Sequence, residues 1–216
     1  MSLSPVRTRR CLRRACVKGY DSVTVSNPAI RLATPDDAAA VAAIYAPFVL
    51  HTAVSFETEP PSTEEMRSRI EKTMTAHPWL IYQVGDEVAG YAHAGTHKMR
   101  SAYRWSADVS VYLGPRWRRQ GIGSSLYNRL LPCLRLQGFR IACAGVALPN
   151  PGSVGLHERF GFEPVGVYKS IGFKLGRWHD VGWWQLALAP MCDDPPTPVA
   201  FPELRESLQN SILSEG

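Results

Sequence analysis

Between residues 29 and 188 the apolar positions come in short runs whose spacing alternates between the period of a strand and that of a helix. Ala29 to Ala33 alternate as a strand does, and Thr34-Pro35 followed by Asp36 and Asp37 opens a helix. Val41, Ile44, Tyr45 and Phe48 form one apolar helical face, and Pro47 is expected to kink or end that helix. "PPSTEEMRSRIEKTMTAHP" predicts a second helix, capped by Ser62 or Thr63, with Glu65 closing a capping box on Ser62. "WLIYQV" and "VAGYAHAG" read as a hairpin with Gly85-Asp86 at its turn, and "WSADVSVYL" as the next strand. A helix then runs from about Gln120 to Leu136 and stops at Gly138. "FRIACAGVAL" is a further strand, and "NPGSVGLHERFGF" a short helix capped by Asn150. "EPVGVYKSIGF" and "WHDVGWWQLAL" supply the last two strands.

The predicted order is βααβββαβαββ, and strands interleaved with helices in this way imply a mixed sheet covered on both faces. The fold class is therefore α/β, in the broad sense that includes α+β mixed sheets. At 216 residues the chain is one domain with tails. We expect a basic N-terminal extension over 1–28, a domain over 29–189, and a Pro-rich acidic tail over 190–216. No internal repeat is visible.

Charge changes the picture only once it is located. The whole chain carries +5, and residues 1–28 hold six basic side chains against Asp21, leaving 18 basic and 18 acidic residues beyond them. Basicity thus belongs to the arm, and a nucleic-acid partner, which needs a basic patch on the folded body, loses its support. The arm has the composition of a transit peptide, but we expect a plain extension and a cytoplasmic protein. The tail from Pro190 carries −4, from five acids and Arg205, so it could lie against the arm. No apolar run approaches the ~18 residues of a membrane span, so no membrane partner is expected. Five scattered cysteines without Cys-x-x-Cys suggest neither a disulfide framework nor a zinc site. The one i, i+4 histidine pair, His93 and His97, lies on a predicted strand where that spacing makes no ligand pair, so no metal is expected.

The chemistry concentrates at "RRQGIGSSLY", residues 118–127, between a strand and a helix. It is no dinucleotide fingerprint, since Leu126 stands at the third glycine position, and it lacks the lysine of a P-loop. What remains is a turn whose glycines let a bulky anion approach the free amides at a helix N-terminus, with arginines adjacent. The competing reading is a tight turn with solvated arginines.

A second motif, N-x-x-S-x-x-L-H-x-x-x-G-F over "NPGSVGLHERFGF", also follows a strand. Together the two motifs resemble the GNAT N-acetyltransferase superfamily. "FETEP", "HPWLIYQVGDEVAGYAHAG", "KMRSAYRW", "SVYL", "GIGSSLY", "LPNPGSVGLHERFGF" and "RWHDVGWWQ" together resemble the phosphinothricin N-acetyltransferase family over about residues 29–188. The resemblance implies a GNAT fold, acetyl-coenzyme A as co-substrate, a small acidic amino-acid analogue such as phosphinothricin or methionine sulfoximine as amine, and a homodimer, for which the last strands with their tryptophans would be a reasonable seam.

It also implies site residues. Val111, Tyr112 and Leu113 would pair with the pantetheine arm. The loop Arg119, Gln120, Gly121, Ile122, Gly123 and Ser124 would cradle the pyrophosphate, and Asn150 would reach the cofactor. Asp108 stands where the family usually carries a glutamate as general base; it is one methylene shorter, with an ordinary pKa near 3.9, and needs burial or an intervening water to serve near neutrality. His157 matches a histidine assisting proton transfer. Lys98, Arg100 and Tyr103 match positions contacting the acidic substrate, for which arginine offers bidentate capture, and Phe56 and Tyr127 would be apolar wall. Trp178, Trp183 and Trp184 are expected to pack in the core or at an interface. Against this stand a peptide or protein amine as substrate, and a non-catalytic acyl-coenzyme A-binding module that the glutamate-to-aspartate departure keeps open.

Overall fold

A computed structural model describes residues 28–204. The basic arm as far as residue 27 and the end of the acidic tail lie outside the described residues. The elements follow the expected order: β1 (Ala29–Leu32), α1 (Ala38–His51), α2 (Thr63–Met74), β2 (Trp79–Val84), β3 (Glu87–Thr96), β4 (Ser106–Leu113), α3 (Ile122–Gln137), β5 (Ile141–Leu148), α4 (Pro151–Arg159), β6 (Glu163–Lys174) and β7 (Arg177–Ala187). One seven-stranded sheet runs β1-β2-β3-β4-β5-β7-β6. Every neighbouring pair is antiparallel except β4 and β5, which α3 joins as a parallel crossover.

Both sheet faces are covered, which is why strands such as "WLIYQV" read as unbroken apolar runs rather than clean alternation. Trp79, Ile81 and Tyr91 face a core with Val41, Ile44, Val49, Met66 and Ile70 of α1 and α2. Their neighbours Leu80, Ala92 and Ala94 face the other core, with Leu126, Leu130 and Leu134 of α3.

The helix ends follow their local chemistry. Ser62 caps α2 by accepting from the Glu65 backbone N–H at 3.1 Å, and Asn150 caps α4 by accepting from Ser153 N–H at 3.2 Å. Gly138 ends α3 at φ 95°, a left-handed conformation suited to glycine. Pro47 does not end α1: the helix passes it and continues to His51. Packing beyond the proline holds that turn, since Val49 is fully buried and Phe48 meets Tyr112 edge-on at 5.2 Å. α3 begins two residues later than expected, because Arg119 (φ 61°) and Gly121 (φ 81°) are left-handed and keep 119–121 outside the helix.

The start of the acidic tail runs along the domain. Trp105 donates to Pro196 O at 2.8 Å, Val199 N–H to Gln137 O at 2.9 Å, and Phe201 N–H to Ala76 O at 3.1 Å. Phe201 is buried beside Cys133, Leu32 and Leu204.

Candidate active site

β4 pairs with β5 only from Ser106 to Asp108, opposite Ile141 to Cys143. On its other edge β4 stays paired with β3 as far as Leu113. Beyond Asp108, therefore, β4 and β5 diverge, and one edge of Val109 to Leu113 is without a strand partner. A cleft of ≈ 840 Å³ opens there. Its walls include Val111, Tyr112 and Leu113 of β4, Gly145 and Ala147 of β5, and Asn150 and Ser153 at the start of α4. Arg119, Gly121, Ile122, Gly123 and Ser124 close one end. A Cβ at Gly123 would approach Leu156 at 3.2 Å, so this glycine lets α3 and α4 come together at the cleft. Free N–H groups at the α3 N-terminus and the left-handed turn before it are donors of the kind that can hold an anion. Gln120 is the exception among the loop residues: it does not line the cleft, and its side chain donates to Arg116 O at 2.7 Å, bracing the turn.

At the vertex of the split sits a second group of side chains. Asp108 Oδ1 lies 2.7 Å from His97 Nδ1, across the connection between β3 and β4. Burial pushes the Asp108 carboxyl above its ordinary range, while the hydrogen bond and charge of His97 and the charge of Lys98 pull back. Cys143 completes the corner; its sulfur and the His97 and Asp108 donor atoms lie within 4.8 Å of one another. Burial, with the Asp108 charge, pushes the Cys143 thiol up to about 11, so it is neutral at pH 7. The Trp183 and Tyr103 rings stand edge-on to His97, each at 5.8 Å, and the Lys98 ammonium lies 5.8 Å from the Trp183 ring. Trp183 packs on Gly145, a wall of the cleft, and its indole N–H is buried without a hydrogen-bond partner among the described residues. His93, by contrast, is stacked on Trp79 at 4.3 Å, and burial lowers its pKa to about 4; it takes no part in this corner.

Three expected site residues have other surroundings. Tyr127 is fully buried in the α3 core and forms no substrate wall; its hydroxyl meets His157 Nε2 at 2.9 Å. His157 lines the cleft but is buried, and its Nδ1 faces Ser153 O at 2.7 Å. A carbonyl only accepts, so Nδ1 carries the hydrogen and Nε2 accepts from Tyr127. Burial lowers the His157 pKa. Phe56 lies against the β6–β7 hairpin, where a Cβ at Gly172 would overlap its ring. The same loop is held by Lys174 Nζ donating to Ser55 O at 2.6 Å and by Arg69 gripping both oxygens of Glu57 at 2.8 and 3.0 Å. Arg100, exposed on the β3–β4 connection, accepts from Tyr103 N–H through its backbone at 2.9 Å.

This architecture has known counterparts. Residues 30–183 match the acetyltransferase (GNAT) domain family. The chain belongs to the GNAT acetyltransferases. It is 42% identical over 156 residues to the phosphinothricin N-acetyltransferase of Streptomyces viridochromogenes, covering 72% of this chain and 85% of that protein. It is 32% identical over 160 residues to an L-methionine sulfoximine/L-methionine sulfone acetyltransferase of Salmonella typhimurium, covering 74% and 94%. Among solved structures, the phosphinothricin acetyltransferase of Sinorhizobium meliloti in complex with AcCoA superposes with a TM-score of 0.76 at 33% identity, over 82% of this chain and 96% of that one.

For a GNAT chain the sequence reading missed residues of two kinds. Phe48, Thr52 and Val54, at and just beyond the end of α1, line the cleft, and Arg118 reaches it with its guanidinium 4.9 Å from the Phe48 ring. The helix pattern explained Phe48 as core, so nothing distinguished it. Arg118 stood inside the quoted motif beside Arg119, and both line the cleft. His97 was weighed only as half of an i, i+4 pair with His93 on a strand; the partner the structure gives it, Asp108, is 11 residues away. Among the described residues no helix is long and apolar enough to cross a membrane.

Proposed function

We propose that this GNAT chain transfers the acetyl group of acetyl-coenzyme A to the amino group of a small acidic amino-acid analogue of the phosphinothricin and methionine sulfoximine type. The observation carrying the reading is the split between β4 and β5, with free backbone on one wall, an anion-binding turn at its mouth and Asp108 at its vertex. These residues fit the coenzyme. Backbone groups of Val111, Tyr112 and Leu113 would hold the pantetheine arm in place of a neighbouring strand. Amides of Arg119 and of Gly121 through Ser124, with both arginine side chains, would hold the pyrophosphate. Asn150 contributes through its position at the α4 N-terminus, since its side-chain oxygen already caps that helix. The coenzyme supplies an acetyl thioester; an N–H donor on the cleft strand would polarise its carbonyl.

At the other end Asp108 supplies the carboxylate of the base, desolvated at the vertex. Lys98, Arg100 and Tyr103 on the neighbouring connection offer the cations and hydroxyl that would draw an acidic amine there. His157, neutral and held by Tyr127 and Ser153, serves the leaving sulfur only if the Tyr127 hydrogen bond yields, so the Tyr127–His157 pair is the unit to test.

We also infer a homodimer seamed on the β6–β7 hairpin. β6 is the sheet edge, and Val165, Tyr168, Ile171, Phe173, Leu175 and Trp178 are each more than half exposed. An apolar group of this extent on an edge strand calls for a partner surface. Sedimentation should give a dimer that Ile171→Glu dissociates.

Function is tested by thiol release from acetyl-coenzyme A with phosphinothricin, methionine sulfoximine and ordinary amino acids side by side. Fast release with the first two is expected. Coenzyme binding without release on any amine overturns the enzymatic reading.

A further inference from the structure

We propose that the proton acceptor of this site is the imidazole of His97, with Asp108 holding and charging it, so that a two-residue unit does the work of a longer carboxylate. The proposal rests on the acetyl-transfer reading above. Four observations carry it.

The first is the 2.7 Å contact between His97 Nδ1 and Asp108 Oδ1. An ionised carboxylate only accepts, so Nδ1 donates and the lone pair stays on Nε2, which has no protein partner among the described residues. The second is reach. An aspartate ends one methylene short, and an imidazole bonded to it places the basic atom a ring's width from the carboxylate. The third is the mount: Trp183 and Tyr103 stand edge-on to the imidazole, and its side chain is only 16% exposed, so the ring is held in one orientation. The fourth is location. Asp108 and Cys143 are the last paired residues before the strands part, and Trp183, which stands edge-on to His97, packs on Gly145, a residue of the cleft wall.

The electrostatics of the corner agree. The ionisable groups around His97 are Asp108 on β4, Cys143 on β5, and Lys98 and Tyr103 on the β3–β4 connection; β7 offers Trp183, with Tyr168 of β6 behind it. The Cys143 thiol is neutral and Lys98 opposes a second cation. Asp108 is therefore the group that stabilises an imidazolium, as a buried carboxylate does for a histidine in other acyl-transfer sites. In the step itself one ammonium N–H bond breaks and its proton passes to Nε2. The freed lone pair forms the bond to the thioester carbonyl carbon as the C–S bond breaks. The proton shed by the new amide nitrogen goes to the leaving sulfur, and the imidazolium returns its own to solvent.

The test uses the full chain and His97→Asn, whose amide N–H can still donate to Asp108 but which has no basic nitrogen. With phosphinothricin as amine, kcat/KM should fall ~10²- to 10⁴-fold, the range of a lost general base. The acid limb of the pH profile should disappear, and acetyl-coenzyme A affinity by calorimetry should hold, which also reports that the variant is folded. A His97→Asn enzyme that keeps both its rate and its acid limb overturns the proposal and leaves Asp108 as the base. Nitrogen-detected NMR of the wild-type imidazole gives an activity-free readout: the Nδ1–H tautomer is expected, and an Nε2–H tautomer overturns the unit. Absence of release by wild type on every amine overturns the acetyl-transfer reading, and this one with it; release that survives His97→Asn overturns this one alone.

Discussion

In the cleft, what would meet a ligand is chiefly backbone: the unpaired edge of Val109 to Leu113, the turn through Gly121, and the first amides of α3. In the corner at its vertex it is side chains, brought from β4, β5, β7 and the β3–β4 connection. The two regions meet where β4 and β5 part and where Trp183 packs on Gly145, yet they tolerate change differently. A backbone site survives substitution of most side chains, provided that glycine stays where the chain must turn left-handed. A side-chain corner depends on each contributor, and one shortened residue has to be offset by a neighbour. That is how an aspartate can stand here with a histidine attached to it.

The difference predicts a separation of effects. The largest belongs to Asp108→Asn, for which kcat/KM with phosphinothricin should drop ~10²- to 10⁴-fold while acetyl-coenzyme A affinity is unchanged. If coenzyme binding falls with it, the two regions are one. Next comes Gly121→Val, which forces a β-branched residue to φ 81°. Strain of ~1–3 kcal/mol should appear as coenzyme affinity weakened by roughly ten- to a hundredfold, with the His97–Asp108 tautomer unaltered by NMR. Tyr127→Phe removes the donor to His157 Nε2. Thermal unfolding should report a loss of ~1–3 kcal/mol, the cost of a buried acceptor left unmade. A much larger effect on kcat than on stability would mean that the Tyr127–His157 pair moves a proton.

Smallest near neutrality is the effect of pH on stability. Burial holds His93 at about 4, and His157 is also lowered, against an ordinary value of 6.5. Both sites bind a proton more readily in the unfolded chain. Their contribution is thus complete above about pH 6.5 and is lost as pH falls toward the folded-state values. Denaturant titrations should show stability declining over that interval, and His93→Gln should flatten the decline.

Much of this was legible in the chain itself. The order of strands and helices follows from period and punctuation, and the caps at Ser62, Asn150 and Gly138 are local chemistry that each segment carries. The left-handed turn before α3 was legible for the same reason, since glycine spacing before a helix is a backbone instruction. Pro47 misled because its local cost is real, while the burial that outweighs it, at Val49, comes from elements distant in sequence. Tyr127 misled in the opposite direction: it was expected as apolar substrate wall, but helical geometry turns it into the core beneath. Phe56 was expected as apolar wall, and its neighbourhood, a loop anchored by Lys174 and Arg69 against the β6–β7 hairpin, is set by residues distant in sequence.

The sequence by itself determined where the chain bends, which faces are apolar and where a glycine turn leads into a helix, because each depends on residues within a few positions of one another. The tertiary structure decided where β4 and β5 part, and which side chains meet at that point. Asp108 reaches His97, Cys143 and the neighbourhood of Trp183 only through strand register, and register is set by the packing of the whole sheet between its two cores.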